Sequence, residues 1–308
     1  MRRSGIFLFA ILTLILPCLA SETSAAPTFG DTSFQQTWER TDKLLTEQTN
    51  VGRGFVWGPD SIFSGKEAYT EASGGQRIVQ YFDKARVEIN NPQAKRTDLS
   101  FVTSGLLVKE LVLGRQQNGD YVNNYTQGKP SEVQVAGDPN TDGANQVAPT
   151  YRSFGKVATF NNDNHVSTKF GQQVTQKMDK DGTITNITSP DPNVRLTGYD
   201  SSTQHNIANV FVTYGNSQGQ IWNGSAYVKG AVFAPDATYI FGLPITEPYW
   251  IRTVVGGEEK DVLIQLFERR VLTYTPNNDL ANRVEMGNVG AHYYRWRYQE
   301  NLGLGASK

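Results

Sequence analysis

Apolar residues along this chain follow two periods, and each period turns up in two separate stretches. In FQQTWERTDKLL, Phe34, Trp38 and Leu45, with Thr41 between them, recur at helical spacing and predict a short amphipathic helix over 34–45. In HNIANVFVTYGNSQG, Ile207, Val210, Phe211 and Tyr214 share one helical face and predict a second helix over 205–219. Strand-like alternation appears in QYFDKARVEINNP (80–92) and again in QLFERRVLTYTPN (265–277). In each, a Gln stands two residues before a Phe, an acid and a base follow, and the stretch closes near a Pro. Val262–Phe267 and Val271–Thr275 favour strand, with polar Glu268, Arg269 and Arg270 as the turn between them. Asp83, Lys84, Ala85 and Arg86 play that part in the earlier copy. Pro92 and Pro276 end the second strands because they lack the N–H that a ladder needs.

The flanks repeat too. Trp57-Gly58-Pro59, then Tyr69, then Gly74-Gly75 precede the first copy; Gly242, Pro244, Tyr249 and Gly256-Gly257 precede the second. Helical patterns follow both, over 101–114 and 284–303. Residues 115–204 differ in texture, with a Gly-, Asn- and Pro-rich loop and alternating runs; Asp179–Gly182 reads as a hairpin turn, without the further acids an EF-hand needs. The expected class is α+β: two related helix–turn–β-hairpin–helix units, at 26–114 and 205–308, with a β-rich insert at 115–204 and a signal peptide at 1–25.

That signal is read from Arg2 and Arg3 ahead of the apolar run Ile6–Leu19, then small residues, with cleavage after Ala20 or, preferably, Ala25. About 14 apolar residues are short of the roughly 20 a membrane span needs, so a secreted or cell-surface protein without a membrane span after cleavage is expected. Cys18, the one cysteine, lies in that segment, which leaves the mature chain without disulfides, thiolate chemistry or Cys-ligated zinc. The charge is nearly balanced, 29 Lys and Arg against 30 Asp and Glu; with the bases scattered, nucleic acid is not an expected partner.

Catalytic motifs are missing from the sequence. His165, His205 and His292 are far apart and never in an HExxH setting, and there is no GxSxG elbow, P-loop or GxGxxG, so neither metal nor cofactor is expected. A glycosidase-type carboxylate pair has no fixed spacing, and Glu71, Asp83, Glu88, Glu247, Glu268 and Glu285 could supply one. Aromatic residues point instead to binding. HYYRWRY places Tyr293 with Trp296 and Tyr294 with Tyr298 on two faces of one helix flanking Arg295 and Arg297. An exposed ring beside hydrogen-bonding groups suits a sugar; the alternative is that both faces are core. Trp57 and Trp250 stand beside loops, and Gln80 and Gln265 share a strand face with Phe82 and Phe267. The candidate ligand-binding set is Trp57, Trp250, Tyr294, Trp296, Arg295, Gln80 and Gln265.

FERRVLTYTPNNDLANRVEMGNVGAHYYRWRY, with GLPITEPYW ahead of it, resembles a family of secreted proteins from Chloroflexus-type bacteria, a likeness that implies no activity. More distantly, Gly242, Leu243, Pro244, Gln265, Phe267, Tyr274 and Pro276, matched in the first copy by Gly58, Pro59, Gln80, Phe82 and Pro92, are similar to the LGFP repeat of actinobacterial cell-wall-associated proteins. The chain departs from that repeat at Trp57-Gly58-Pro59, which lacks the intervening residue, and at the hairpin tips, which lack glycine. The resemblance implies attachment to the cell envelope. The expected function is therefore a secreted, non-enzymatic binding protein of the cell envelope or extracellular matrix, with polysaccharide or peptidoglycan as its partner. A glycan-cleaving hydrolase and a purely structural envelope protein are the competing readings.

Overall fold

The computed structural model describes residues 28–161 and 163–300; the expected signal at 1–25 lies outside them. Helix α1 (Thr32–Thr41) starts where the Asp31 carboxylate accepts the Ser33 amide, satisfying one of the donors a helix start leaves open, and α2 (Lys43–Glu47) follows it. Strands β1 (Ser61–Ala68), β2 (Gln76–Phe82), β3 (Ala85–Ile89) and β4 (Thr103–Ser104) form an antiparallel meander, and α3 (Leu107–Leu113) follows. Three pairs come next: β5 (Arg115–Gln117) with β6 (Tyr125–Gln127), β7 (Gln176–Met178) with β8 (Ile184–Asn186), and β9 (Leu196–Asp200) with β10 (His205–Ala208). After α4 (Asn209–Gly215), the hairpin of β11 (Gln218–Trp222) and β12 (Tyr227–Ala231) leads to α5 (Ala237–Phe241). A second meander, β13 (Tyr249–Val255), β14 (Glu258–Leu266), β15 (Val271–Tyr274) and β16 (Val284–Met286), is widened by parallel pairing of β13 with β7 into the six-stranded sheet β16-β15-β14-β13-β7-β8. Helix α6 (Val289–Arg295) then runs into a π-helical turn, Trp296–Glu300.

The α+β expectation is corrected by this architecture. Strand outweighs helix, 30% to 21%, and six short α-helices are described. The helix expected over 34–45 is present as α1 and α2, and the other three each lose an end to a ladder. Thr103–Ser104 covers the edge of β3, so α3 starts only at Leu107; Val284–Met286 pairs with β15, so α6 starts only at Val289; His205–Ala208 pairs with β9, so α4 is seven residues long. An open strand edge exposes a row of unpaired N–H and C=O groups, and pairing it outweighs the helical spacing of a few apolar residues.

Both meanders bury both faces. Phe82, Ala85 and Val87 of the first and Leu263, Leu272 and Tyr274 of the second enter one core, together with Phe267 just past β14, while Val79 and Tyr81, and Val262, Ile264 and Leu266, enter another. This is the period-2 alternation of a strand with core on either side.

The two meanders also share a set of backbone bonds. Lys84 N–H donates to Trp57 O, and Arg269 N–H to Phe241 O, both at 2.9 Å; Gly105 N–H donates to Arg86 O, and Gly287 N–H to Val271 O, at 3.0 and 2.8 Å. The helices then cross over. The amides of Val108 and Lys109 in α3 donate to Glu268 O at the second hairpin, and that of Ala291 in α6 donates to Asp83 O at the first. Each half is thus completed by the helix of the other.

Gly290 permits one of these crossings. A Cβ there would lie 2.0 Å from Phe82 O and 2.6 Å from Ala85 N, both backbone atoms with little freedom to move. Gly290→Ala is expected to cost about 3 kcal/mol in urea unfolding. Gly54→Ala, with open space around it, is the control expected within about 0.5 kcal/mol of wild type. A Gly290→Ala protein as stable as the control would contradict the crossing.

Candidate functional site

Beneath the first meander lies a fully buried group of charges. Glu67 on β1 meets Arg77 on β2 at 3.3 Å, Arg86 on β3 at 3.2 Å and Arg297 of the final turn at 3.0 Å. Glu88 pairs with Arg77 at 3.0 Å and Arg86 at 2.6 Å, and Glu110 on α3 with Arg86 at 3.4 Å. Tyr81 and Tyr298 donate to Glu67 Oε1 at 2.5 and 2.8 Å, and Tyr293 donates to Glu110. Three carboxylates face three guanidinium groups, so the charge balances without solvent. Burial pushes the Glu67 pKa up, but Arg86, Arg297 and Arg77 together outweigh it and hold the carboxyl at about 2.

Glu110 also lines a cavity of about 370 Å³, whose other polar walls include Tyr69, Lys109, Arg115, Gln117, Asp120 and Asn161 and whose apolar walls include Leu106, Leu113 and Val122. One side is the loop 117–124, which side chains hold in place. Glu71 accepts the Asp120 amide at 2.9 Å, Asp120 accepts the Tyr69 hydroxyl at 2.6 Å, Gln117 donates to Gly119 O and Tyr121 O at 2.7 Å, and Asn124 donates to Thr70 Oγ1 at 2.6 Å. Burial, and then the hydrogen bond to Asp120, raise the Tyr69 pKa, so its hydroxyl stays a donor at neutral pH. At Gly119 the loop packs against two of these side chains; a Cβ there would fall 2.3 Å from Asn124 Nδ2 and 2.6 Å from Glu71 Oε2. At the top of this fixed loop, Tyr121 and Val122 are 71% and 82% exposed. Large apolar side chains in water on a loop with ordered backbone form a surface whose ordering cost precedes any binding.

The residues expected to bind ligand are elsewhere, and most are interior. Trp250 is fully buried, its Nε1 donating to Val174 O at 2.9 Å; Trp296 is buried, donating to Lys129 O at 2.8 Å. Gln80 donates to Thr28 O and accepts from Gly30 N, and Gln265 donates to Asn206 O and Thr246 O. These side chains satisfy backbone groups where the chain passes over each meander, which is why they are polar and buried. Tyr294 is half-buried, its ring 5.7 Å from Phe63 and 4.9 Å from Tyr298, and Arg295 is exposed and paired with Glu300 at 2.8 Å. Trp57 alone of the set reaches a cavity, a different one.

The carboxylates considered for hydrolysis are dispersed. Glu88 pairs with Arg77 and Arg86; Glu71 takes the Asp120 amide and Glu268 that of Leu243; Glu247 binds the Asn206 amide and lies 3.2 Å from His205 Nδ1. Asp83 and Glu285 are both partly buried near Lys84, whose ammonium donates to Met286 O and Asn288 Oδ1. Among the described residues no group of three His, Cys, Asp or Glu could hold a metal ion, and no helix is long and apolar enough to cross a membrane.

Comparison with protein-family models, with curated proteins and with solved structures finds no match to this chain.

Two measurements test this geometry. Glu67 ionises in the fold at about 2 instead of its ordinary 4.5, so its contribution is fully present above about pH 4.5. Below that the unfolded chain takes up a proton that the folded one does not, and roughly 3 kcal/mol is lost as pH falls toward 2. Urea unfolding between about pH 5 and pH 3 should show about 2 kcal/mol of that loss, and the Glu67→Gln protein, less stable at neutral pH, should show a shallower one; parallel curves would contradict the burial of this charge. Glu71→Ala should speed exchange of the Asp120 amide by roughly five- to tenfold, the worth of one solvent-exposed hydrogen bond. Unchanged exchange would mean that Glu71 does not hold the loop.

Proposed function

We propose that the protein is a secreted, non-enzymatic binding protein of the cell envelope or extracellular matrix and that it holds polysaccharide at the cavity beside loop 117–124. The observation that carries this reading is that Val122 lines that cavity and, with its chain neighbour Tyr121, stands in water on a side-chain-pinned loop. Sugar recognition needs an apolar surface for the C–H face of a ring and fixed donors and acceptors for its hydroxyls. Tyr121 and Val122 offer the first; Lys109, Arg115, Gln117 and Asp120 offer the second. The likeness to LGFP repeats and the signal-like first 25 residues support the location. Hydrolysis is disfavoured because four of the six candidate carboxylates are already bound to arginine or backbone amides, Glu71 among them on the amide of Asp120 in the cavity wall.

Pull-down on purified insoluble peptidoglycan and on other insoluble cell-wall polysaccharides at physiological salt is the test. Retention is expected on at least one, weakened roughly tenfold by Tyr121→Ala or Lys109→Ala with an unchanged unfolding midpoint. No retention on any of them, or retention indifferent to both substitutions, contradicts the reading, and release of reducing sugar would favour the hydrolase.

A further inference from the structure

The second site lies on the other side of the first meander, where the charges do not balance. Among the described residues, Arg40, Arg53, Arg269 and Arg270 form no ion pair with a carboxylate. Arg40 donates to Val232 O and Ala231 O at 2.8 and 2.7 Å, Arg53 to Thr41 O, Arg269 to Tyr239 O at 2.7 Å, and Arg270 to Arg269 O and Ser104 Oγ, both at 3.2 Å. The carboxylates that could answer them are engaged with backbone. Asp42, fully buried, accepts the amides of Val56, Trp57 and Gly58 at 2.7–3.0 Å, and Glu268 accepts that of Leu243. This is the reverse of the Glu67 group, where three guanidinium groups meet three carboxylates.

The excess charge surrounds a cavity of about 240 Å³ lined by Arg40, Thr41, Trp57, Val232, Tyr239 and Ile240, with Pro235. Two of these lining residues carry polar atoms with no partner among the described residues: Trp57 Nε1 and Thr41 Oγ1, on side chains of residues only 2% and 3% exposed. Behind the indole, the Arg270 guanidinium lies 5.2 Å from the Trp57 ring centre, fully buried, and its Nε and Nη2 also lack partners. Buried donors go unsatisfied rarely, because each costs about 1–3 kcal/mol and more when charged. Burial, then the neighbouring Arg269, pull the Arg270 pKa down to about 9, a measure of how poorly its charge is compensated. Apart from Thr37 and the Tyr239 hydroxyl, the remaining walls are apolar, with Leu99, Val232, Ala234, Pro235 and Ile240 among them, which suits the flat body of an organic molecule rather than a bare hydrated ion.

We propose that this cavity binds a small organic carboxylate with a flat apolar body, its acid group answering Arg40, Trp57 Nε1 and Thr41 Oγ1 and its body lying against Trp57, Val232 and Pro235. It shares no lining residue with the saccharide cavity and does not depend on that reading. Trp57 enters the function here, as a donor and a wall inside the protein and not as an exposed platform.

Calorimetric titration of the full chain with benzoate, with neutral benzamide and with inorganic phosphate tests the proposal. Benzoate is expected to bind, benzamide and phosphate each roughly tenfold more weakly or not at all, and Arg40→Gln to weaken benzoate by roughly tenfold. Since Arg40 also caps two carbonyls, Trp57→Phe is the second variant: it keeps a ring in place while deleting Nε1, and should weaken benzoate several-fold. Benzamide equal to benzoate would remove the charge argument, phosphate equal to benzoate the apolar wall, and no benzoate binding to a folded wild-type protein the site itself.

Discussion

Glu67 holds a full negative charge at a position almost sealed from water, and it is tolerable there because three guanidinium groups from three parts of the chain reach it. A lone buried carboxylate would be neutralised or would unfold its surroundings, whereas one ringed by Arg77, Arg86 and Arg297 can be kept only with all of them in place. That requirement fixes β1, β2 and β3 relative to one another and to the end of the chain. Glu110 extends it to α3, and through Glu110 the network reaches the wall of the cavity beside loop 117–124. Such a group adds little net stability over an apolar packing of the same volume; we infer that here it selects one arrangement, because any slip leaves a charge unpaired.

The exchange of helices follows from the same constraint. Arg297 and Tyr298 lie just after α6, and the carboxylate they serve belongs to the first meander, so the last helix must cross to that half. Helix α3 makes the reciprocal crossing, with its first amides on Glu268 O. Two cores result, one on either side of the paired meanders, and they divide the residues of β2 and β14 by strict alternation. With Gly290 against Phe82 O, the contact is too close for any side chain, which makes the crossing a matter of backbone fit as well as of charge.

Much of the strand framework was legible in the sequence. The turns after Phe82 and Phe267 and the stops near Pro92 and Pro276 follow from alternation and from the missing N–H of proline. The helices were over-read because a few apolar residues at helical spacing cannot reveal that Thr103, Val284 and His205 lie beside an unpaired strand edge. Trp250 and Trp296 were candidates for exposure because they sit near loops or polar neighbours, but large rings gain most by burial, and their indole N–H groups find carbonyls inside. The cavity beside loop 117–124 is not legible because Tyr69, Lys109, Asp120 and Asn161 come together only in space; the one local signal is GDYV at 119–122, an apolar pair inside a turn. Which arginines pair and which do not cannot be read from a balanced composition.

The two cavities rest on opposite electrostatic conditions, one above a neutralised network and the other beside an unanswered one, and the first condition is the foundation of the fold. A double-mutant cycle between Glu67→Gln and Arg297→Met, read by urea unfolding, measures it most directly. The account predicts a coupling of about 2 kcal/mol, because either change alone strands a buried partner. Effects that add to within about 0.5 kcal/mol would show the two groups to be independent and would contradict the charge network as the constraint that sets this structure.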